Sequence, residues 1–344
     1  MEHLMRQCMY RENHKRQGSP LEDSFGRRID YLRVSVTARC NLKCIYCMPK
    51  SGVHHSHQSE ILSSEEIARF VSIVKKLGLR KVRLTGGEPL LRPDIVRLVS
   101  LIKATGIRDL SLTTNGIRLS DMADDLKKAG INRVNISLDT LEPEKYRAIT
   151  RGGDIRRVLE GIKKAEEVGL YPVKINVVPM PGLNDDEIQR FASLTFEKDY
   201  HIRYIEYMRG GRNEASGKIG HLKKQEIMDR VSELGRLTRL TFRGGGPSRN
   251  YRIEGARGVV GFISPVTDHF CASCNRLRLT AAGKLCPCLF SNVELDVRAL
   301  LRSGASDEEL DKLFQSAVAV KPAGHYLEME KRFSGLSSMS EIGG

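Results

Sequence analysis

The sequence has no tryptophan among its 344 residues, and no apolar run approaches the roughly 20 residues that a membrane-spanning helix needs. Its polar amino terminus lacks the apolar stretch of a secretory signal, and no low-complexity segment is long enough to prevent packing. These absences argue against a membrane protein and against a secreted one. They predict a globular protein of the cytoplasm with no membrane partner.

Acidic residues are also in deficit, since 42 Asp and Glu stand against 56 Lys and Arg, which gives a formal net charge of +14. A surplus of this kind favours anionic partners such as phosphates or nucleic acid, although charge alone does not choose between them.

The eight cysteines are clustered in a large chain, so they indicate metal ligation rather than disulfide bonds.

The length of the chain favours two linked units. We interpret residues 1–28 as a flexible extension in which Cys8 is a free thiol. Near residue 215 the pattern changes towards a Gly-rich and Arg-rich composition, and we place a domain change there. Residues 29–214 then form the first unit and residues 215–344 the second.

The first unit alternates strand-like apolar runs with helical segments, which predicts a parallel α/β architecture. The strand candidates begin at Tyr31, Lys81, Asp109, Arg133, Pro172 and His201. Helix starts are marked by the cluster Ser63-Ser64-Glu65-Glu66, by Pro93-Asp94 and by Asn184. Right-handed crossovers would wind these units into a barrel, closed or open, with ligands at the carboxyl ends of the strands.

Three cysteines, Cys40, Cys44 and Cys47, follow the first strand in the run CNLKCIYC. Three thiolates within eight residues can hold a four-iron cluster and leave one iron open to an external ligand. The alternative is a structural zinc site, which needs four closed ligands and usually joins two cysteine pairs.

The run TGGEP at residues 85–89 closes the second strand. Its glycines would let a ligand approach exposed backbone groups, although the same residues also suit a simple turn. Because the run stands one strand after the cysteine triplet, we interpret it as part of the same site.

A second cysteine group lies in the carboxyl-terminal part, where Cys271, Cys274 and Cys288 again provide three ligands. Cys286 lies two residues before Cys288 and could complete a zinc tetrahedron instead. The spacing favours Cys288 as the third ligand of a cluster, and it leaves a role for Cys286 open.

The first triplet, with Tyr46 before its last cysteine, resembles the signature of the radical S-adenosylmethionine superfamily. From about Ser24 to Gly344 the chain is similar to a narrower family, the molybdenum cofactor biosynthesis protein A or GTP 3',8-cyclase family. This resemblance is carried by the second cysteine group, by the run Asn275-Arg276-Leu277-Arg278 and by the terminal Gly343-Gly344. It implies an incomplete TIM-type barrel of (βα) repeats, followed by a smaller carboxyl-terminal domain with a second iron-sulfur cluster.

Carried over residue by residue, the resemblance implies that each cysteine triplet holds a 4Fe-4S cluster. The implied contacts to S-adenosylmethionine are Tyr46 at the adenine, Gly87 at the methionine amino group, Ser137 and Met208. The implied GTP contacts are Arg33, Arg83, Thr114, Lys174, Arg276, Leu277 and Arg278, and Gly343 and Gly344 would lie near the substrate. Taken singly, these cations also suit a solvated surface, and Met208 also suits core packing.

The implied activity is that of a lyase which converts GTP to 3',8-cyclo-7,8-dihydro-GTP through a 5'-deoxyadenosyl radical, the first step of molybdenum cofactor biosynthesis. The implied partners are a reductant such as a flavodoxin or ferredoxin and a downstream pyranopterin-forming enzyme, while a homodimer stays open. Two rivals remain. A peptide-modifying radical enzyme would need more carboxyl-terminal cysteines, and a zinc protein that binds RNA or DNA would need interleaved aromatics or a recognition helix.

Overall fold

The computed structural model describes residues 21–52, 58–208, 219–242 and 246–324. All six strand candidates form strands, namely β1 (Tyr31–Ser35), β2 (Lys81–Thr85), β3 (Asp109–Thr114), β4 (Arg133–Ser137), β5 (Lys174–Val177) and β6 (His201–Ile205). Each of the first five pairs in parallel with the next strand in the chain. The predicted parallel α/β architecture is therefore confirmed.

Helices connect these strands and bury apolar stripes against them: α1 (Ser64–Leu77), α2 (Ile95–Ala104), α3 (Leu119–Ala129), α4 (Pro143–Thr150), α5 (Ile155–Glu167) and α6 (Ile188–Glu197). The predicted start of α1 is a capping box, in which the Ser63 side chain accepts the backbone N–H of Glu66 and the Glu66 carboxylate accepts the backbone N–H of Ser63. Within the described residues, no helix has the length and apolarity that crossing a bilayer requires.

The carboxyl-terminal part adds α7 (Lys224–Ser232), β7 (Leu237–Leu240), β8 (Arg249–Ile253), β9 (Val259–Ile263), β10 (Arg276–Leu279), β11 (Lys284–Cys286), β12 (Leu295–Asp296), α8 (Val297–Arg302) and α9 (Asp307–Ala319). Strand β9 pairs in parallel with β6, and β10 pairs in parallel with β1. This part of the chain therefore extends both edges of the central sheet.

The sheet runs in the order β12-β11-β10-β1-β2-β3-β4-β5-β6-β9-β8-β7. Its central eight strands, from β10 to β9, are all parallel, and antiparallel strands continue it at each side. Across the described residues no backbone pairing joins β12 to β7, so the barrel is incomplete. This agrees with the incomplete TIM-type barrel expected from the sequence.

Alternate residues of the central strands have opposite chemistry. Leu32 and Val34 of β1 are fully buried in the hydrophobic core, as are the corresponding residues of the neighbouring strands. Tyr31 and Arg33, which alternate with these two residues along β1, line a cavity on the inner side of the sheet. Because side chains alternate between the two faces of a strand, every central strand supplies the apolar core with one set and the cavity with the other.

Residues 21–28 are not a loose extension, so that prediction does not hold for this segment. Leu21 is fully buried in the main core, and Asp23 and Arg27 form a buried ion pair of 2.6 Å. The segment lacks helical or strand periodicity, which is why its packing is not visible in the sequence. Residues 1–20, with Cys8, and residue 215 lie outside the described residues, and the domain change near residue 215 stays a prediction.

We expect Phe314→Ala to lower the free energy of unfolding by about 3–5 kcal/mol, the usual cost of truncating a buried aromatic residue. Phe314 of α9 is fully buried, and its ring lies 6.1 Å from that of Phe70 in α1. Urea denaturation measures the change, with Val320→Ala as the control because Val320 is 41 % exposed. Equal losses in the two variants would contradict the docking role of Phe314.

Candidate active site

A cavity of about 960 Å³ lies inside the incomplete barrel, and both cysteine sets line it. Cys40, Cys44 and Cys47 follow the carboxyl end of β1, whereas Cys274 precedes the amino end of β10. Since β10 is parallel to β1 and Tyr31 pairs with Arg276, the second set lies at the opposite end of these strands. The two sets thus face one cavity from its two ends.

The first cysteine loop is fixed by backbone bonds to the end of α4. Lys43 N–H donates to Thr150 O at 3.1 Å, and Ile45 N–H donates to Ile149 O at 2.9 Å. Burial, together with the neighbouring thiols, raises the pKa of Cys47 to about 12 and that of Cys44 well above its usual value. Three thiolates crowded in this loop therefore need a positively charged group to stabilise them.

Amide groups also face the first cysteine set. The Leu42 N–H lies 3.5 Å from the Cys40 sulfur, and the Asn115 side-chain amide lies 3.9 Å from it. Asn115 directly follows β3, so a residue at the end of the third strand contacts the cysteine loop that follows β1. Such donors are among the groups that tune a sulfur-ligated iron cluster.

The run TGGEP joins β2 to the first cysteine loop. Gly87 N–H donates to Thr37 O and Glu88 N–H donates to Arg39 O, both at 2.8 Å. A Cβ on Gly87 would lie 2.4 Å from Arg39 O, so the absence of a side chain serves the close approach of two backbone segments. The run is therefore more than a turn.

Glu88 connects the ends of β2 and β3 beneath this loop. Its carboxylate accepts the Thr114 hydroxyl at 2.7 Å, the Asn115 N–H at 2.7 Å and the Leu90 N–H at 3.0 Å. Burial raises the pKa of Glu88 to about 7, against the effect of these hydrogen bonds. Thr114, a predicted substrate contact, lines the cavity and has its hydroxyl committed to Glu88.

Tyr46 is held by a carboxylate that the sequence reasoning missed. Its hydroxyl donates to Asp139 at 2.6 Å, and Asp139 also accepts the N–H of Val178 at 2.9 Å. Burial raises the pKa of Asp139 to about 6. Ser137 and Met208, the other predicted side-chain contacts of S-adenosylmethionine, line the same cavity.

The second cysteine set has a cationic surrounding. Burial raises the pKa of Cys274, but Arg276 and Lys321 outweigh it and bring this pKa down to about 7. Cys288 lines the cavity with Cys271 and Cys274. The buried thiol of Cys286 is not in that lining; it lies 3.9 Å from Lys284 O, and burial raises its pKa to about 12.

Between the two cysteine sets the cavity wall is strongly cationic. The predicted cations Arg33, Arg83, Lys174, Arg276 and Arg278 all line it. Burial and the surrounding cations lower the pKa of Lys174 to about 7, and burial and Arg276 lower that of Arg278 to about 10. Crowded buried cations of this kind are stabilised by an anionic ligand.

Other wall residues escaped the sequence reasoning. Lys81, Arg133 and Arg203 line the cavity, with Asp109 pairing to Lys81 at 3.3 Å and to Arg133 at 2.6 Å. The Tyr31 ring lies between cations, 5.3 Å from the Lys81 ammonium and 5.5 Å from the Arg83 guanidinium. Their signal is a charged or polar residue at every second position of a strand that is otherwise apolar.

One predicted residue has its side chain outside the cavity, and two others are not among the described residues. Leu277 is fully buried in the hydrophobic core because it faces the outer side of β10, so its side chain does not line the cavity. The expected contact at this residue could come only from its backbone. Gly343 and Gly344 lie outside the described residues.

The donor sets fit iron-sulfur clusters. Each set supplies three thiols to one cavity, and in a 4Fe-4S cluster each thiolate binds its own iron. Across the residues that the structure describes, no three His, Cys, Asp or Glu side chains converge on a single metal ion. The arrangement can therefore hold a cluster at each end of the cavity and a polyanion between them.

Two family models match the chain. One, described as the Radical SAM superfamily, covers residues 34–195, and the other, described as Molybdenum Cofactor Synthesis C, covers residues 200–327.

Curated relatives match almost the whole chain. A GTP 3',8-cyclase of Thermodesulfovibrio yellowstonii is 48 % identical over 331 residues, which is 94 % of this chain and 100 % of the relative. A GTP 3',8-cyclase of Heliobacterium modesticaldum is 50 % identical over 325 residues, or 94 % of this chain and 99 % of the relative.

Among solved structures, Streptococcus suis SuiB bound to S-adenosylmethionine matches with a TM-score of 0.57 and 16 % identity, over 88 % of this chain and 74 % of that one. A second structure of SuiB matches with a TM-score of 0.58 and 16 % identity, over 92 % and 76 %. At this level of identity the likeness shows the fold alone.

We expect Gly87→Ala to lower the free energy of unfolding by about 1–3 kcal/mol, because the new Cβ would meet the backbone oxygens of Arg39 and Ala38. Gly246→Ala is the matched control, since a Cβ there meets nothing within 4 Å and neither glycine has left-handed backbone. Urea denaturation of the cluster-free chains measures both. A Gly87→Ala variant as stable as the control would show that the two segments can separate at no cost.

Proposed function

Because the chain belongs to the GTP 3',8-cyclase family within the radical S-adenosylmethionine superfamily, we propose that its cavity holds GTP between two iron-sulfur clusters. The protein is a lyase that converts GTP to 3',8-cyclo-7,8-dihydro-GTP, the first step of molybdenum cofactor biosynthesis. It uses a 4Fe-4S cluster and S-adenosylmethionine. The observation that carries the proposal for this site is the cationic wall between the two cysteine triplets.

The first cluster is assigned to Cys40, Cys44 and Cys47. Their burial, their mutual repulsion and the amide donors at Cys40 support this ligand set. These three cysteines would hold the cluster, which when bound would supply the electron for reductive cleavage of S-adenosylmethionine and so the radical chemistry that acts on the ribose of GTP.

The contacts to S-adenosylmethionine follow from the same loop. Asp139 holds the phenol of Tyr46, so the ring keeps one orientation in which it can lie against the adenine. Gly87 stands beside the cysteine loop, where backbone groups can meet the methionine amino group. Ser137 and Met208 complete this end of the cavity.

The second cluster is assigned to Cys271, Cys274 and Cys288, and it presents the purine of GTP. The lowered pKa of Cys274 supports this ligand set, because a thiolate is the form that binds iron. The separate position of Cys286 argues against a four-thiolate zinc site.

The triphosphate is assigned to the cations between the clusters. Arg33, Arg83, Arg276 and Arg278 present forks that suit phosphate oxygens, and Lys174 adds a point charge. The five residues of β1 span about 15 Å at the usual rise per residue, and the two cysteine sets lie beyond its opposite ends. Cations enclosed in the barrel favour a small polyanion; a protein that binds RNA or DNA would need them on its surface.

A separate carboxyl-terminal domain from residue 215 onward is proposed from the change in composition there. Other parts of the assignment rest on the family alone. They are a backbone contact at Leu277 and a role of Gly343 and Gly344 near the substrate. They also include a flavodoxin or ferredoxin as reductant and a pyranopterin-forming enzyme as the next in sequence, with a homodimer left open.

Anaerobic incubation with GTP, S-adenosylmethionine and a reductant tests the proposal. We expect the wild type to release 5'-deoxyadenosine and 3',8-cyclo-7,8-dihydro-GTP, as detected by mass spectrometry. Cys40→Ala should abolish cleavage of S-adenosylmethionine because the first cluster loses a ligand. Cys288→Ala should retain cleavage and lose the cyclic product, so normal product from Cys288→Ala would contradict the second ligand set.

Lys174 gives the triphosphate assignment a pH test. Burial and neighbouring cations hold its pKa at about 7 in the free protein, and a bound triphosphate would raise that pKa. GTP binding at pH 8 should therefore take up about one proton at this residue, and affinity should fall as pH rises above about 7.

Calorimetry in buffers of different ionisation enthalpy measures this uptake without S-adenosylmethionine, so that no turnover occurs. Lys174→Arg is the control because a guanidinium stays protonated throughout. We expect the variant to bind GTP with less proton uptake than the wild type. The same uptake in both proteins would place the triphosphate away from Lys174.

A further inference from the structure

Arg27 lies under the second cysteine set and is itself 6 % exposed. Its guanidinium donates to Cys271 O at 2.8 Å, Ala323 O at 3.1 Å and Pro322 O at 2.7 Å. The Asp23 carboxylate accepts a further hydrogen bond from Arg27 Nε at 2.6 Å. One side chain from the amino-terminal segment thus joins a cysteine ligand loop to the segment that leaves α9.

Lys321 approaches the same site from the other side. It is 3 % exposed, and its ammonium donates to Arg276 O at 2.8 Å and Pro287 O at 2.7 Å. Arg276 follows Cys274 closely, and Pro287 directly precedes Cys288. Lys321 therefore connects the two separate loops that carry the second cysteine set.

We propose that Arg27 and Lys321 are positioning residues for the second cluster: together they hold the loops of Cys271, Cys274 and Cys288 at a fixed separation and place buried positive charge beside the thiolates. We call this pair the cation bracket. The proposal deepens the proposed function and rests on the second cluster. It assigns the amino-terminal segment and the end of α9 a direct part in building that site.

The charges agree with this role. A 4Fe-4S cluster with thiolate ligands is an anionic group, and reduction adds a further negative charge. Lys321 lines the cavity with Cys274 and Cys288, and its ammonium bonds to carbonyls of the residues beside them. The carbonyl oxygens that would repel the thiolates are instead bound to the bracket, so their negative ends are neutralised.

The bracket also explains why these cations are buried. A buried Lys or Arg normally costs stability unless it is paired. Arg27 has one carboxylate partner and three backbone acceptors, and Lys321 has two backbone acceptors. Three of these five carbonyls belong to the second cysteine set or to residues beside it, and the other two belong to residues 322 and 323. The two buried cations therefore bind the backbone around the second cysteine set.

The test uses full-length protein with Cys40, Cys44 and Cys47 changed to Ala, which leaves the second cluster alone to be observed. This background should hold about four irons per chain after anaerobic reconstitution. Within it, Lys321→Met removes the ammonium, Lys321→Arg keeps a charge, and Lys312→Met changes an exposed lysine as the control. Arg27→Lys keeps the charge and loses the fork, with the exposed Arg28→Lys as its control.

Two readouts besides activity are measured: the midpoint potential of the cluster by electron paramagnetic resonance, and the rate of iron loss to a chelator. Lys321→Met should make the midpoint potential more negative, because the reduced cluster loses a positive charge that stabilises it. Lys321→Arg keeps that charge and should restore the potential towards the background value. Arg27→Lys should lose iron about tenfold faster than the background, whereas Arg28→Lys and Lys312→Met should match the background.

The outcomes separate the bracket from the function on which it rests. A normal iron content with unchanged potential in Lys321→Met and unchanged iron loss in Arg27→Lys would overturn the bracket and leave the second cluster in place. A background chain without iron would remove the second cluster, and the bracket with it. If Lys321→Met is insoluble, the iron loss of Arg27→Lys, compared with that of Arg28→Lys, decides the question: equal rates would overturn the bracket.

Discussion

The structure depends on enclosing like charges inside a barrel whose sheet is packed against an apolar core on its outer face. Each central strand directs one set of residues into an apolar core and the alternate set into the cavity, where arginines and lysines predominate. Repulsion among these cations is reduced locally, as where Asp109 pairs with Lys81 and Arg133, or where Asn135 accepts from Arg203 at 2.6 Å. The apolar packing outside the sheet must therefore hold the wall rigid against a force that would open it.

The same strands set the distance over which the chemistry acts. Parallel strands bring all their carboxyl ends to one mouth of the cavity, so the first cysteine loop, Gly87 and Ser137 meet there although they lie at the ends of three different strands. The second cysteine set reaches the other end because β10 runs alongside β1. A rigid sheet of fixed strand length thus keeps the two cysteine sets apart and aligned, which loops alone would not do.

Much of this arrangement could be predicted from the sequence, because its signals are local. The six strands follow from apolar runs. The spacing of the first three cysteines and the pair Gly86-Gly87 mark the end of the cavity at the carboxyl ends of the strands. What escaped prediction depends on contacts between distant segments: the pairing of β9 with β6 and of β10 with β1, and the packing of Leu21 and Arg27. Lys81, Arg133 and Arg203 did leave a local trace, as charged residues alternating with apolar ones, but a charge is usually interpreted as solvent-exposed. Leu277 shows the converse, since a position inside a motif says nothing about which face of the strand it occupies.

The order of strands has a consequence for biosynthesis. During translation, β1 to β6 emerge before β9 and β10, so the nascent sheet has two unpaired edges until the carboxyl-terminal part arrives. Exposed edges invite aggregation, and charged side chains on them are a common protection. Arg33 on β1 and Arg203 on β6, which later face the cavity, stand on those edge strands. The residues that suit a nucleotide in the mature protein would thus also protect the unfinished chain on the ribosome.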